Sequence, residues 1–231
     1  MKHSVLLFSC VALLLSACAK TQTAGTEDSR EEVSTQSGVQ DTQSALFYYY
    51  FDEKIYVNER TDILYLEFTD GLSAEQKKAI VNSNPSLSPW HLRTWDGEEQ
   101  VFDGSGRDSA AILQSGESFS QNMLEAFRKM DGVKTLSFLL EKDKSYSAAT
   151  DEMVVLLKST STEAQLKELA EKYNCAVEPF LVEGTPVQEG EYVVTVPKSV
   201  TMGTIRLANL FYETGLFVFT SPDLILFDAL Q

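Results

Sequence analysis

Apolar and polar positions along the chain alternate with two different periods, and these predict strands and helices in an order that occurs twice. The aromatic-rich runs 46–51 and 54–57, separated by Asp52-Glu53, predict a strand hairpin. Ile63-Leu64-Tyr65-Leu66-Glu67-Phe68 is almost continuously apolar over strand length and predicts a buried strand. Ser73 and Gln76 have capping-box spacing and open a helix through 77–81 that closes before Pro85. A strand over 87–95, a Gly-rich polar loop over 96–108 and a strand over 110–114 follow, with a hairpin as the simplest connection. Ser118 and Gln121 offer a second capping box ahead of Met123, Leu124, Phe127 and Met130, Gly132 is the C-terminal cap, and 133–140 is a strand.

The remaining residues repeat this order. Residues 153–157 form a strand, and Thr160 with Glu163 caps a helix whose Leu166, Leu169, Ala170 and Tyr173 fall on one stripe. Strands over 177–182 and 192–196 flank the turn-rich segment 183–190. A helix over 200–213 stops at Thr214-Gly215, and 216–220 closes the unit. Gly132 and Gly215 occupy equivalent places, as do Ile63 and Val154, which predicts an internal duplication. The β-α-β-β-α-β order is the ferredoxin-like pattern, an antiparallel sheet with two helices on one face. The expected fold is therefore α+β, as two tandem ferredoxin-like domains, 45–148 with the N-terminal hairpin and 149–231.

The N-terminal segment has a different pattern. Lys2 and His3 precede an apolar run over 5–15, which has the length of a signal peptide rather than of a membrane span. Leu15-Ser16-Ala17-Cys18 resembles the lipobox of bacterial lipoproteins. The resemblance implies a signal peptide over 1–17, lipid attachment at Cys18 and contact with the membrane through that anchor alone. The alternative is an ordinary secretory signal cut after Ala17. Lys20, with no Asp beside Cys18, resembles outer-membrane sorting, which implies a lipid-anchored protein facing the periplasm or the cell surface. Residues 18–44 are Thr, Gln, Ser, Glu and Asp with few large apolar side chains, the composition of a disordered tether. About 25 such residues span roughly 25 to 30 Å.

Charge and missing motifs narrow the chemistry. Lys and Arg number 19 against 34 Asp and Glu, a net charge of -15. Binding to DNA or RNA draws on clustered cations, so nucleic acid is excluded as an expected partner. Cys10 leaves with the signal and Cys18 is acylated, so Cys175 is the single remaining thiol and no internal disulfide forms; its surroundings read as those of a small buried hydrophobe. His91 follows Ser88-Pro89-Trp90 without spaced Cys or acidic partners. There is no His-Glu-x-x-His, Cys-x-x-Cys, P-loop or Gly-x-Ser-x-Gly motif, so no catalytic residue, metal ligand or cofactor is assigned. The expectation is a protein that is not an enzyme, with a hydrolase built in space around His91 as a minority reading. The run Phe47-Tyr48-Tyr49-Tyr50-Phe51 suits either a strand packed on one face or a sugar-stacking platform.

One stretch carries a further resemblance. Ala208-Asn209-Leu210-Phe211-Tyr212-Glu213-Thr214-Gly215-Leu216-Phe217, continuing to Ser221-Pro222-Asp223, is similar to the end of the N-terminal prodomains of bacterial subtilisin-like serine peptidases. The opening aromatic run and Glu53-Lys54-Ile55-Tyr56-Val57 are similar to the start of the same prodomains. That resemblance implies a ferredoxin-like fold and a domain that assists folding of the peptidase and inhibits it by laying its tail through the active-site cleft. Val218-Phe219-Thr220-Ser221 departs from the family's more usual Tyr-Ala-Glu segment before Pro. No room is left for the peptidase's Asp, His and Ser motifs, so the expectation is action in trans on a subtilisin-like peptidase as partner. Phe217, Phe219, Leu230 and Gln231 are the candidate partner-binding residues. The apolar tail Leu224-Ile225-Leu226-Phe227 either adds as a strand to a cleft edge or is the last strand of its own sheet. The alternative function is a cell-surface adhesion or envelope scaffold module.

Overall fold

The duplicated order of elements becomes one antiparallel path of strands with every helix on the same side. The computed structural model describes residues 45–93, 99–103, 110–143 and 145–227, all within the compact unit Thr42–Gln231. An N-terminal hairpin, β1 (Phe47–Tyr50) and β2 (Glu53–Tyr56), leads into β3 (Asn58–Phe68), α1 (Ala74–Val81), β4 (Ser88–Pro89), β5 (His91–Arg93) and β6 (Glu99–Val101). β7 (Ala110–Gln114), α2 (Gln121–Lys129) and β8 (Val133–Lys142) complete the first half. The second half runs β9 (Ser145–Leu157), α3 (Glu163–Glu171), β10 (Ala176–Pro179), β11 (Leu181–Val182), β12 (Thr185–Pro186), β13 (Glu191–Thr195), α4 (Gly203–Glu213) and β14 (Phe217–Phe227).

The main sheet has the order β10-β13-β9-β8-β3-β7-β4. β14 lies along the other edge of β9, pairing with it from Tyr146 to Leu157. Read within each half, β8-β3-β7-β4 and β14-β9-β13-β10 follow the same rule: last strand, first, third, second. The chain is thus α+β, with antiparallel pairing and four helices among the described residues. The halves are not separated by a linker. β8 turns through Asp143 (φ 48) straight into β9, and the expected boundary at 148/149 falls inside that strand, whose start pairs with β8 and whose later part pairs with β13.

The caps show how local chemistry sets the helices. Ser73 and Gln76 form the expected reciprocal box: Gln76 N donates to Ser73 Oγ at 3.3 Å, and Ser73 N to Gln76 Oε1 at 2.8 Å. The next two helices start two residues later than expected. Ser120 takes the amide of Met123 at 3.3 Å, while Ser118 Oγ lies 2.8 Å from Thr61 Oγ1; Thr162 and Gln165 form the third helix's box. α4 begins at Gly203 rather than 200, after Met202, which supplies no capping side chain. Gly132 and Gly215 take φ of +92° and +79°, the left-handed turn that ends a helix without a Cβ penalty.

Alternation along β9 assigns the two faces. Met153 and Val155 join Leu166, Ala170, Leu207, Phe211 and Phe217 under α3 and α4, and Ala149 packs with Ile205 on the same side. Leu64, Leu66 and Phe68 of β3 pack with Leu124 and Phe127 of α2. On the opposite face of the first half, Ile63, Tyr65, Ile112 and Leu139 are covered by Trp90, Phe102 and Phe227. This cover explains why 87–95 is not one strand. Trp90 N donates to Ile112 O at 2.8 Å and Phe102 N to Trp90 O at 3.2 Å, so the chain leaves the sheet at Trp90 and returns over it as the β5–β6 ribbon.

Candidate protein-binding face

In the second half, the side of the sheet facing away from the helices carries no aromatic cluster like that of Trp90 and Phe102 among the described residues; Leu156 on it is 9% exposed, and Val154, Val193 and Phe219 are partly buried. Residues alternate with the core set, so Val154 and Leu156 of β9 and Val193 of β13 face outward. Val154 lies between Val193 and Ser221, and Leu156 between Glu191 and Phe219, which places Phe219 on the same face. The segment equivalent to the Trp90–Phe102 cover is here the small β11–β12 hairpin, whose Leu181 and Val182 stand exposed.

Carboxylates share this side of the sheet. Glu152 and Glu191 lie on the same faces of their strands as Val154 and Val193, and Glu178 is opposite Val193. Burial pushes the Glu152 carboxyl above the usual range, with Asp151, Asp223 and Glu178 adding to the rise against the opposing pull of Lys134; burial does the same to Glu191. An acid whose pKa is raised by folding binds its proton better in the native state. Its contribution is complete below the ordinary carboxylate range and is lost as pH rises through the raised value. Thermal melts are therefore expected to move upward between pH 7 and pH 5. A Tm that falls steadily over that interval contradicts this assignment.

The aromatic hairpin forms one border of the face. Leu46 and Tyr48 pack beside Val57, Leu140 and Ile205, while Phe47 and Tyr49 lie against each other with ring centroids 5.4 Å apart. Tyr49 stacks on Tyr212 at 4.2 Å and donates its hydroxyl to Glu213 Oε1 at 3.1 Å. Asn209 Nδ2 donates to the Phe47 carbonyl at 2.6 Å, and Lys54 Nζ sits 4.2 Å from the Phe47 ring centre. Most of the run is thus packing, as one reading expected. The turn falls at Phe51-Asp52 rather than Asp52-Glu53, with Phe51 at φ 54. It leaves Tyr50 and Phe51 more than half exposed, and Phe51 meets Phe219 at 6.1 Å.

The residues singled out from sequence separate accordingly. Phe219 is on the open face. Phe217 is a correction: it is 1% exposed and stacked 5.8 Å from Phe211, so it supports the sheet from inside. A bulge between 217 and 219 in the pairing with β9 sends the two rings to opposite sides. Leu224 to Phe227 pair with Ala149 to Tyr146, so this part of the tail is a strand of its own sheet and not a free segment. Leu230, Gln231 and Cys18 lie outside the described residues.

The groups considered for catalysis are also placed. His91 is exposed on β5, opposite Val101. No cluster of three or more His, Cys, Asp or Glu among the described residues is arranged to hold a metal. Cys175 is half-buried, with Sγ 3.8 Å from the Tyr173 carbonyl oxygen, and burial pushes its thiol up to about 11. At pH 8 it is expected to react with a disulfide reagent much more slowly than a free thiol and to reach that rate on unfolding. Rapid native labelling contradicts this.

No family model matches the chain, and no curated protein matches it. Among solved structures it is similar to a chain described as "SXL-lethal protein/RNA complex", at 14% identity and a TM-score of 0.29, over 72% of this chain and 98% of that one. The partner expectation is corrected here. The excluded nucleic acid rested on net charge alone, which does not decide a partner, and the exclusion is withdrawn. At that score the likeness equally supplies no argument for RNA as a ligand.

Proposed function

We propose that this chain is a non-enzymatic, lipid-anchored module of the outer membrane, built as two tandem ferredoxin-like domains, that binds proteins in the manner of a peptidase prodomain. The observation that supports this reading is the outer face of the second half: Val154, Val193 and Phe219, partly exposed around the buried Leu156, form an apolar centre with carboxylates around it, on a sheet whose first half is covered on both sides. A surface of that kind suits a protein partner. The similarity of 208–223 and 47–57 to prodomain ends adds the reading that a subtilisin-like peptidase is inhibited or chaperoned in trans.

The experiment is inhibition of a panel of subtilisin-like peptidases by residues 19–231. Val193→Glu places a charge at the centre of the face and is expected to weaken inhibition at least tenfold while leaving Tm near that of the parent. Inhibition unchanged by Val193→Glu removes the face from the reading, and no inhibition of any member removes the peptidase. The second reading, adhesion or envelope scaffolding, is favoured by the exposure of Tyr50 and Phe51 at the hairpin tip. Glycan binding that is lost in Tyr50→Ala supports it.

A further inference from the structure

A cavity of about 400 Å³ lies on the helix side of the sheet, between α2 and the first turn of α4. Its floor is apolar, formed by Leu64, Leu136, Phe138, Leu140 and Ala149. Leu124 and Ile205 are its apolar walls, and exposed Gln121, Thr201, Met202 and Arg206 stand around it. Pockets of roughly 300 to 1,000 Å³ are the usual size of small-molecule sites; here polar residues, Glu59, Thr61 and Ser137 among them, share the lining with the apolar ones.

The buried polar groups and all but one of the charged groups around this cavity are satisfied internally. Thr204 Oγ1 donates to the Thr150 carbonyl at 2.6 Å, and Ser137 Oγ to that of Ala149 at 2.8 Å. Arg206 makes a forked pair with Glu59 at 3.0 and 3.3 Å. Lys198, at the adjoining pocket of about 30 Å³, donates to the carbonyls of Met130 and Val133. Among the charged groups, Arg128 is the exception. It borders both spaces and makes no hydrogen bond among the described residues; its Nη1 is closed off from solvent and from the cavity, so a ligand there meets the guanidinium through its other atoms. Glu125, on the same helix, is the acidic group that influences it, and it makes no hydrogen bond to Arg128. Beside it, the first turn of α4 has neither a capping side chain nor an acidic residue, so its field adds to the positive character of that wall.

We propose that this cavity binds a small amphipathic carboxylate, its anionic head on Arg128 and its apolar body over Leu136, Phe138 and Leu140. A guanidinium beside an apolar chamber, unpaired by the protein itself, favours an anion, and the chamber favours one that carries a hydrocarbon body. A bare inorganic anion leaves the floor unused, and a neutral lipid leaves the guanidinium unpaired. The site is separate from the open sheet face and does not depend on the partner bound there.

The test is calorimetric titration of residues 19–231, which retain the compact unit, with decanoate, decanol and acetate as probes. Decanoate is expected to bind at least tenfold more tightly than either other probe, and Arg128→Gln to lose about tenfold of that affinity with decanol binding unchanged. Amide shifts of the parent protein give a second readout that needs no variant: decanoate should move 136–138 and 201–206. Decanol binding as tightly as decanoate, a full-affinity Arg128→Gln variant, no decanoate binding, or shifts confined elsewhere each overturn the proposal.

Discussion

Replacing Phe211 by alanine is expected to cost about 3–5 kcal/mol of stability, the range for deleting a large aromatic from a packed core. The ring is 0% exposed, 5.8 Å from Phe217 and 6.2 Å from Tyr173, in the cluster that joins α3 and α4 to β9 and β13. Elsewhere on the same helix, Asn209 and Tyr212 hold the aromatic hairpin, and Thr220 Oγ1 donates to the Ala208 carbonyl at 2.7 Å. Loss of the Phe211 ring therefore weakens the support of β14, the hairpin and the open face together. Tm should fall by roughly 10 °C. Phe217→Ala should cost a similar amount, and the double variant less than the sum, because the two rings stack on each other. A loss below about 1 kcal/mol for Phe211→Ala means the site collapses freely and that this is not the principal core of the second half.

The elements that could be read in the sequence are those whose signal is local. The strand over 110–114, the Ser73–Gln76 box and the left-handed glycines 132 and 215 need only near neighbours to be recognised. β9 was hidden before Met153, because Ser145-Tyr146-Ser147-Ala148-Ala149-Thr150-Asp151 has no strand period. Its conformation there comes from pairing with β8 on one side and with the end of β14 on the other. The open face was hidden for a related reason. Met153-Val154-Val155-Leu156-Leu157 is apolar throughout and reads as buried on both sides, and only the folded position of Trp90 and Phe102 shows that their aromatic cover lies on the first half alone. Phe217 is buried while Phe219 turns to the outer face, because a bulge reverses the parity of neighbouring residues and leaves no mark in composition. Arg128 carries no sequence signal at all. It sits in the last turn of a helix, where a basic residue is ordinarily explained by the helix dipole.

A charge cluster lies where the halves meet. Lys134 at the start of β8 lies 3.0 Å from Glu67 of β3 and 2.9 Å from Asp151 of β9, so one ammonium joins a carboxylate from each half. Asp151 is 5% exposed, and its Oδ1 takes no well-oriented hydrogen bond; Glu67 Oε2 is also buried without a donor. Burial opposes the charge on Lys134, yet its close ion pairs with Asp151 and Glu67 and its hydrogen bond to Glu67 prevail and hold the ammonium above its usual range. Removing the cation leaves two poorly solvated carboxylates facing each other. Breaking a fully buried pair costs about 3–5 kcal/mol, and partial exposure of Lys134 lowers the expectation for Lys134→Met to about 2–3 kcal/mol at pH 7.

The pH dependence distinguishes this electrostatic account from lost packing. Burial raises the Glu67 carboxyl, Lys134 opposes that rise, and Asp151 and Glu152 add to it. Without Lys134 the carboxyl rises further, so protonation relieves the repulsion at a higher pH in the variant than in the parent. The stability deficit of Lys134→Met should therefore shrink between pH 7 and pH 5, measured by urea unfolding at each pH. Lys134→Arg, which keeps the charge, should show neither the deficit nor the steeper pH slope in full. A deficit of equal size at both pH values assigns the effect to the lysine's aliphatic stem and removes the ion cluster as the link between the two halves.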